Sequence, residues 1–193
     1  MQVSKLIKIV ISILLACMQS ASAQNSVTEL TKADQVNIVK QQAFLISLAG
    51  SWEGMCRTWF KPGELADESE VKGEFQLILG ERFLRHTYEA KLQGNPRRGE
   101  ETISFNSITQ KYQISWIDDF HMNYGIMFSE GEPTGRGFIV YGKYDVALNQ
   151  PQWGWKTVFE LTDKNNLIIT GYNILPDSRE VKAVETKYTR KQM

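Results

Sequence analysis

Apolar residues recur along this chain in two rhythms. Between Thr31 and Leu48, the residues Val36, Val39, Ala43, Phe44 and Leu48 fall at helical spacing, which predicts one amphipathic helix with Thr31 or Asp34 as its cap. From Gly50 the period shortens to two and stays there to the C-terminus. Strand-like runs cover 51–60, 70–79, 82–92, 100–107, 111–118, 122–129, 137–144, 153–161, 167–174 and 180–189. Turn chemistry separates them: Lys61-Pro62-Gly63, Gly80-Glu81, Gly94-Asn95-Pro96, Glu132-Pro133-Thr134-Gly135, Asn165-Asn166 and Pro176-Asp177-Ser178. Such short connections make a meander of hairpins, and with no second helix to cover a sheet, closure is the way to remove exposed edges. The predicted fold is therefore all-β, a single antiparallel up-and-down barrel of about ten strands with one N-terminal helix plugging one end.

Alternation sorts each strand into two faces. The apolar parity carries Phe75, Leu77 and Leu79; Leu84, His86, Tyr88 and Ala90; Ile103 and Phe105; Tyr112, Ile114, Trp116 and Asp118. It continues with Tyr124, Ile126 and Phe128; Phe138, Val140 and Tyr144; and Trp153, Trp155, Thr157 and Phe159. These residues are expected inside. Arg85, Glu89, Gln113 and Lys156, on the opposite parity, are expected to face solvent.

Ahead of the helix, Lys5 and Lys8 precede an apolar run over 9–18 and small residues ending Ala21-Ser22-Ala23, the pattern of a secretory signal peptide cleaved after Ala23. The run is too short for a permanent membrane span. Leu14-Leu15-Ala16-Cys17 resembles a lipobox and gives the alternative of an anchor acylated at Cys17, although Leu15 is uncommon there. The chain thus divides into a leader over 1–23, a linker and helix over 24–48, and a barrel domain over 49–193, and the expected location is periplasmic or secreted. Either cleavage leaves Cys56 as the only cysteine of the folded part, so stability rests on the core. Of 22 basic and 22 acidic residues the leader holds two lysines, so the mature chain is weakly acidic, which argues against nucleic-acid binding. Arg97-Arg98, in a Gly/Pro stretch, reads as a solvated turn.

Chemistry is sparse in this sequence. His86, between Leu84 and Tyr88 on an inward parity, could be a base or a ligand, and Asp118 on the face of Tyr112, Ile114 and Trp116 could orient it. No nucleophile stands in a recognisable context, and Asp118-Asp119-Phe120-His121 reads as a hairpin loop, since alternate residues point oppositely and the spacing matches no known metal ligand set. Neither a cofactor nor a metal is implied. Cys56 behaves as a small buried hydrophobe.

Gly50-Ser51-Trp52-Glu53-Gly54, Pro62-Gly63, Leu79-Gly80-Glu81-Arg82-Phe83-Leu84, Gly99, Tyr112, Trp116-Ile117-Asp118 and Tyr188-Thr189-Arg190 together resemble the secreted bacterial family called domain of unknown function 1579. The resemblance runs from Phe44 to Arg190 and departs at Glu81, where a second glycine is common. It implies the barrel and export and transfers no catalytic residue. The first-strand Gly-x-Trp with a last-strand arginine also resembles the lipocalin and fatty-acid-binding superfamily, which implies that Arg190 packs over Trp52 and closes the barrel base.

Two function classes follow, with a third behind them. The leading expectation is a binding module holding a small apolar or amphipathic ligand inside the barrel, with His86, Tyr88, Trp116, Asp118 and Tyr124 as candidate contacts. The second is a small-molecule enzyme using an inward His/Asp pair. The third is an envelope protein with a filled barrel.

Overall fold

The computed structural model describes residues 29–120 and 124–192. The expected leader, its cleavage point and Cys17 lie outside the described residues, as does His121. Thr31 directly precedes helix α1 (Lys32–Leu48), whose first turn carries Asp34. Ten strands follow: β1 (Gly50–Lys61), β2 (Glu64–Ile78), β3 (Phe83–Leu92), β4 (Asn95–Asn106), β5 (Lys111–Asp118), β6 (Met127–Pro133), β7 (Gly137–Tyr144), β8 (Trp153–Asp163), β9 (Asn166–Ile174) and β10 (Glu180–Arg190). Each strand pairs antiparallel with its neighbour in sequence, and β10 pairs with β1 to close the ring. No helix among the described residues is long and apolar enough to cross a membrane.

The half of the barrel nearest the helix is solid. Phe138 is stacked on Tyr112 with 4.1 Å between ring centroids and on Phe159 at 4.6 Å, while Phe44 of α1 meets Tyr112 and Phe138 edge-on. The Tyr112 hydroxyl, which burial holds in its neutral form, donates to Gln41 Oε1 at 2.9 Å. Leu45, Leu48, Leu84, Ile103 and Leu167 complete this floor. The helix face that closes it is Ile38, Gln41, Phe44, Leu45 and Leu48, not the stripe through Val36, Val39 and Ala43, which is exposed. Phe44 and Leu48 of the expected stripe lie on this face, whereas its N-terminal part was not foreseen because a buried glutamine, satisfied by Tyr112, sits at its centre.

Beside the helix the predicted latch is present. The Arg190 guanidinium lies 4.1 Å from the centre of the Trp52 ring and donates to the carbonyls of Ala49, Ser47 and Lys164 at 2.6, 2.5 and 3.1 Å. Trp52 Nε1 donates to Leu48 O at 2.9 Å. One side chain thus ties the helix end, the first strand and the β8–β9 turn together. Arg190→Ala is expected to lower stability by about 1–3 kcal/mol in urea unfolding, and Arg190→Lys, which keeps charge without the planar fork, to recover less than half of it. Full recovery by lysine would show that charge alone matters there.

Of the seven strands given an expected inward parity, β2–β5, β7 and β8 keep it and β6 does not. That strand spans Met127–Pro133, not 122–129, and turns Met127, Ser129 and Gly131 inward. Phe128 is 70% exposed, Ile126 59%, and Tyr124 stands fully in solvent with φ 68°. Tyr112 and Trp116 of β5, opposite Gly131 and Met127, already fill the space there, so β6 brings Ser129, Gly131 and the unbranched Met127 to it in place of its aromatic rings. Leu79, also expected inside, sits in the β2–β3 turn at φ 50° and is exposed. Two hairpins are tighter than the sequence suggested. Gln93 and Gly94, both at positive φ, make the β3–β4 turn alone, so Asn95-Pro96-Arg97 belongs to β4; β2 likewise begins at Glu64.

Candidate functional site

The shorter turn at Gln93-Gly94 has a direct chemical result. With β4 starting at Asn95, Arg97, Gly99 and Glu101 take the same parity as Ile103 and Phe105, and all point inward. Arg97 is only 5% exposed, which corrects its reading as a solvated turn. Beside it on β3, His86 is buried and Tyr88 half-buried. On β5, Trp116 is buried, and the Asp118 side chain has no exposed surface.

These groups form two linked sets. In the first, His86 Nδ1 donates to Glu101 Oε2 at 2.7 Å, and His86 Nε2 lies 3.3 Å from the Tyr188 hydroxyl. Phe75 stacks on the imidazole at 4.0 Å, with ring planes 3° apart, and fixes its orientation. In the second, Trp116 Nε1 donates to the Tyr88 hydroxyl at 3.0 Å, which donates to Asp118 Oδ2 at 3.3 Å. Arg97 Nε lies 3.6 Å from the same carboxylate oxygen, and its guanidinium stands 5.6 Å from the Tyr88 ring centre. The expected pairing of His86 with Asp118 is therefore corrected: Glu101, directly opposite His86 in the β3–β4 register, is the partner, and Asp118 serves Tyr88 and Arg97.

Burial pushes the phenols of Tyr88 and Tyr188 far above their ordinary range, so both remain neutral donors. Burial also opposes the charge on Arg97, but Tyr88, Cys56 and Asp118 beside it offset this, and the guanidinium is held above its ordinary value. The tyrosine tips fit because glycines lie beneath them. A Cβ at Gly99 would sit 2.2 Å from the Tyr88 hydroxyl oxygen, and one at Gly73 would sit 2.6 Å from that of Tyr188.

Between the two sets lies an internal cavity of about 60 Å³. His86, Tyr88, Arg97, Glu101, Tyr188 and Thr157 line its polar side, and Cys56, Val71, Ala90, Ile169 and Val184 its apolar side. Trp116 and Trp155, stacked at 5.5 Å, form one wall. The wider concavity over β1–β5 is lined mostly by charged residues of the solvent side, Glu53, Lys72, Glu74, Glu89, Arg98 and Glu100, and reaches Tyr88, Asp118 and Tyr124; the buried polar groups converge on the interior, which is the candidate site.

Of the five candidate residues, His86, Tyr88 and Trp116 line the cavity, and Asp118 supports it through Tyr88 and Arg97. Tyr124 is exposed and stands apart from it. At the end of β5 Asp118 turns inward, while Asp119 in the loop that follows accepts from the Arg98 backbone and side chain outside. Arg97, Glu101 and Tyr188 were missed as site residues. Their signal was present in the parity of Ile103 and Phe105, which runs back through Glu101 and Arg97, and of the final strand.

Residues 38–190 match the model of a family described as a protein of unknown function, DUF1579. No curated protein matches the chain. Among solved structures, Rv2717c from M. tuberculosis is similar over 85% of this chain and 100% of its own, with a TM-score of 0.57 and 13% identity. The S-type phycobiliprotein lyase CPES from Guillardia theta is similar over 84% and 99%, with a TM-score of 0.55 and 10% identity. At these identities the likeness is one of fold.

Proposed function

Since the chain belongs to the DUF1579 family, whose description names no activity, we propose its function from its own interior: an exported binding module that holds a small molecule in the half of the barrel away from the helix. One observation carries this reading. Buried, ionisable and ring-bearing side chains converge on a cavity there, while the other half of the same barrel is packed solid with aromatic rings. A protein needing only stability gains little from burying Arg97, Asp118 and Glu101, because burial strips each of water that a hydrophobic residue would not miss. Export is supported by the leader-like pattern over 1–23.

The test is native mass spectrometry of the full-length gene product isolated from its own host. A co-purifying mass is expected on the wild type and not on Ala90→Phe, which fills the cavity from its apolar side. If both spectra show the bare chain, the binding reading fails. A second reading has its own support in the Glu101–His86–Tyr188 relay, an imidazole oriented by a carboxylate and aimed at a hydroxyl. It would be recognised as turnover of a small substrate that His86→Asn abolishes while leaving the fold intact.

A further inference from the structure

Arg97 carries more information about the ligand than any other cavity residue. Its side chain is more than nine-tenths buried, it lines the cavity, and its Nε–H has no hydrogen-bond partner among the described residues. A buried charged donor left open in this way requires an acceptor, and within the chamber that acceptor is an oxygen of the bound molecule. The charge of that molecule follows from the groups already present. Asp118, 3.6 Å away, balances Arg97. Glu101 and His86 form one pair, and wherever its proton sits the pair carries no net positive charge. An anion entering this chamber meets no surplus of positive charge, and a cation would face the guanidinium directly.

We propose that the barrel selects an uncharged ligand of a few non-hydrogen atoms, the size that a cavity of about 60 Å³ admits, which presents a carbonyl-type oxygen to Arg97 and lies against Trp116 and Trp155. This rests on the reading of the interior as a binding chamber. Acetate, acetamide and acetamidinium are near-identical in shape, small enough for the chamber, and carry negative, zero and positive charge, so they separate charge from size.

The experiment titrates each of the three into the full chain at neutral pH, reading the indole N–H resonances of Trp116 and Trp155 by NMR. Acetamide is expected to bind at least about tenfold more tightly than either ion, the factor appropriate to one hydrogen bond from a charged donor. The preference should vanish in Arg97→Met/Asp118→Asn, in which removal of both charges avoids the buried carboxylate without its guanidinium that would threaten folding of the single variant. Tighter binding of acetate or acetamidinium would overturn the proposed ligand class while leaving the chamber intact. Indole resonances unmoved by all three compounds would overturn the chamber itself, and the inference with it.

Discussion

Arg97→Met should destabilise the barrel by about 3–5 kcal/mol, the range for breaking a buried charge pair from one side. The side chains have similar length, so little volume is lost. What changes is that Asp118, with no exposed side-chain surface, keeps its negative charge and loses the neighbouring guanidinium. The Tyr88 hydroxyl and the Phe120 amide still donate to it, but neutral donors do not replace a cation. Asp118→Asn in the Arg97→Met background should therefore restore a large part of the loss, although asparagine removes an acceptor. Urea unfolding of the two single variants and the double variant closes the cycle. A double variant no more stable than Arg97→Met would show that the two residues are not a pair.

Phe138→Ala is expected to be comparably damaging, again about 3–5 kcal/mol, for a different reason. Its ring is fully buried, stacked between Tyr112 and Phe159 and capped by Phe44, so removing it opens a cavity in the floor and loosens the helix plug at once. Phe128→Ala is the control. Phe128 has the same side chain on a neighbouring strand but stands 70% exposed, and its loss should fall within about 0.5 kcal/mol of neutral. Equal effects at the two positions would mean that β6 has its opposite face inward.

These two phenylalanines also show how far the sequence could be read. On β7 the apolar parity of Phe138 and Val140 is the buried one, and the same logic holds around most of the ring. On β6 it fails because the interior is a shared volume. Tyr112, Trp116 and Trp155 reach across from other strands, and a strand read alone does not reveal that its place is already taken. The latch of Arg190 on Trp52 was legible because both residues lie at the ends of the strand series, where a stacking pair has few alternatives. The partner of His86 was not, because Glu101 and Arg97 are charged and the Gly94-Asn95-Pro96 stretch suggested a turn. Parity extended from Ile103 would have placed both inside, so position along the strand was a better guide than side-chain type.

Closure of the ring sets an order in time as well as in space. Nine of the ten strand pairs join neighbours along the chain through turns and loops, whereas the β1–β10 seam must bring Trp52 to Arg190 across nearly the whole domain. The loop-closure entropy of that last contact is the largest in the molecule, so the meander forms first and the seam zips late. Interactions made after the folding barrier act on escape from the native state. The loss in Arg190→Ala is therefore expected in the unfolding rate, with refolding in stopped-flow measurements unchanged, and the seam governs how long a folded barrel survives more than how quickly one is made.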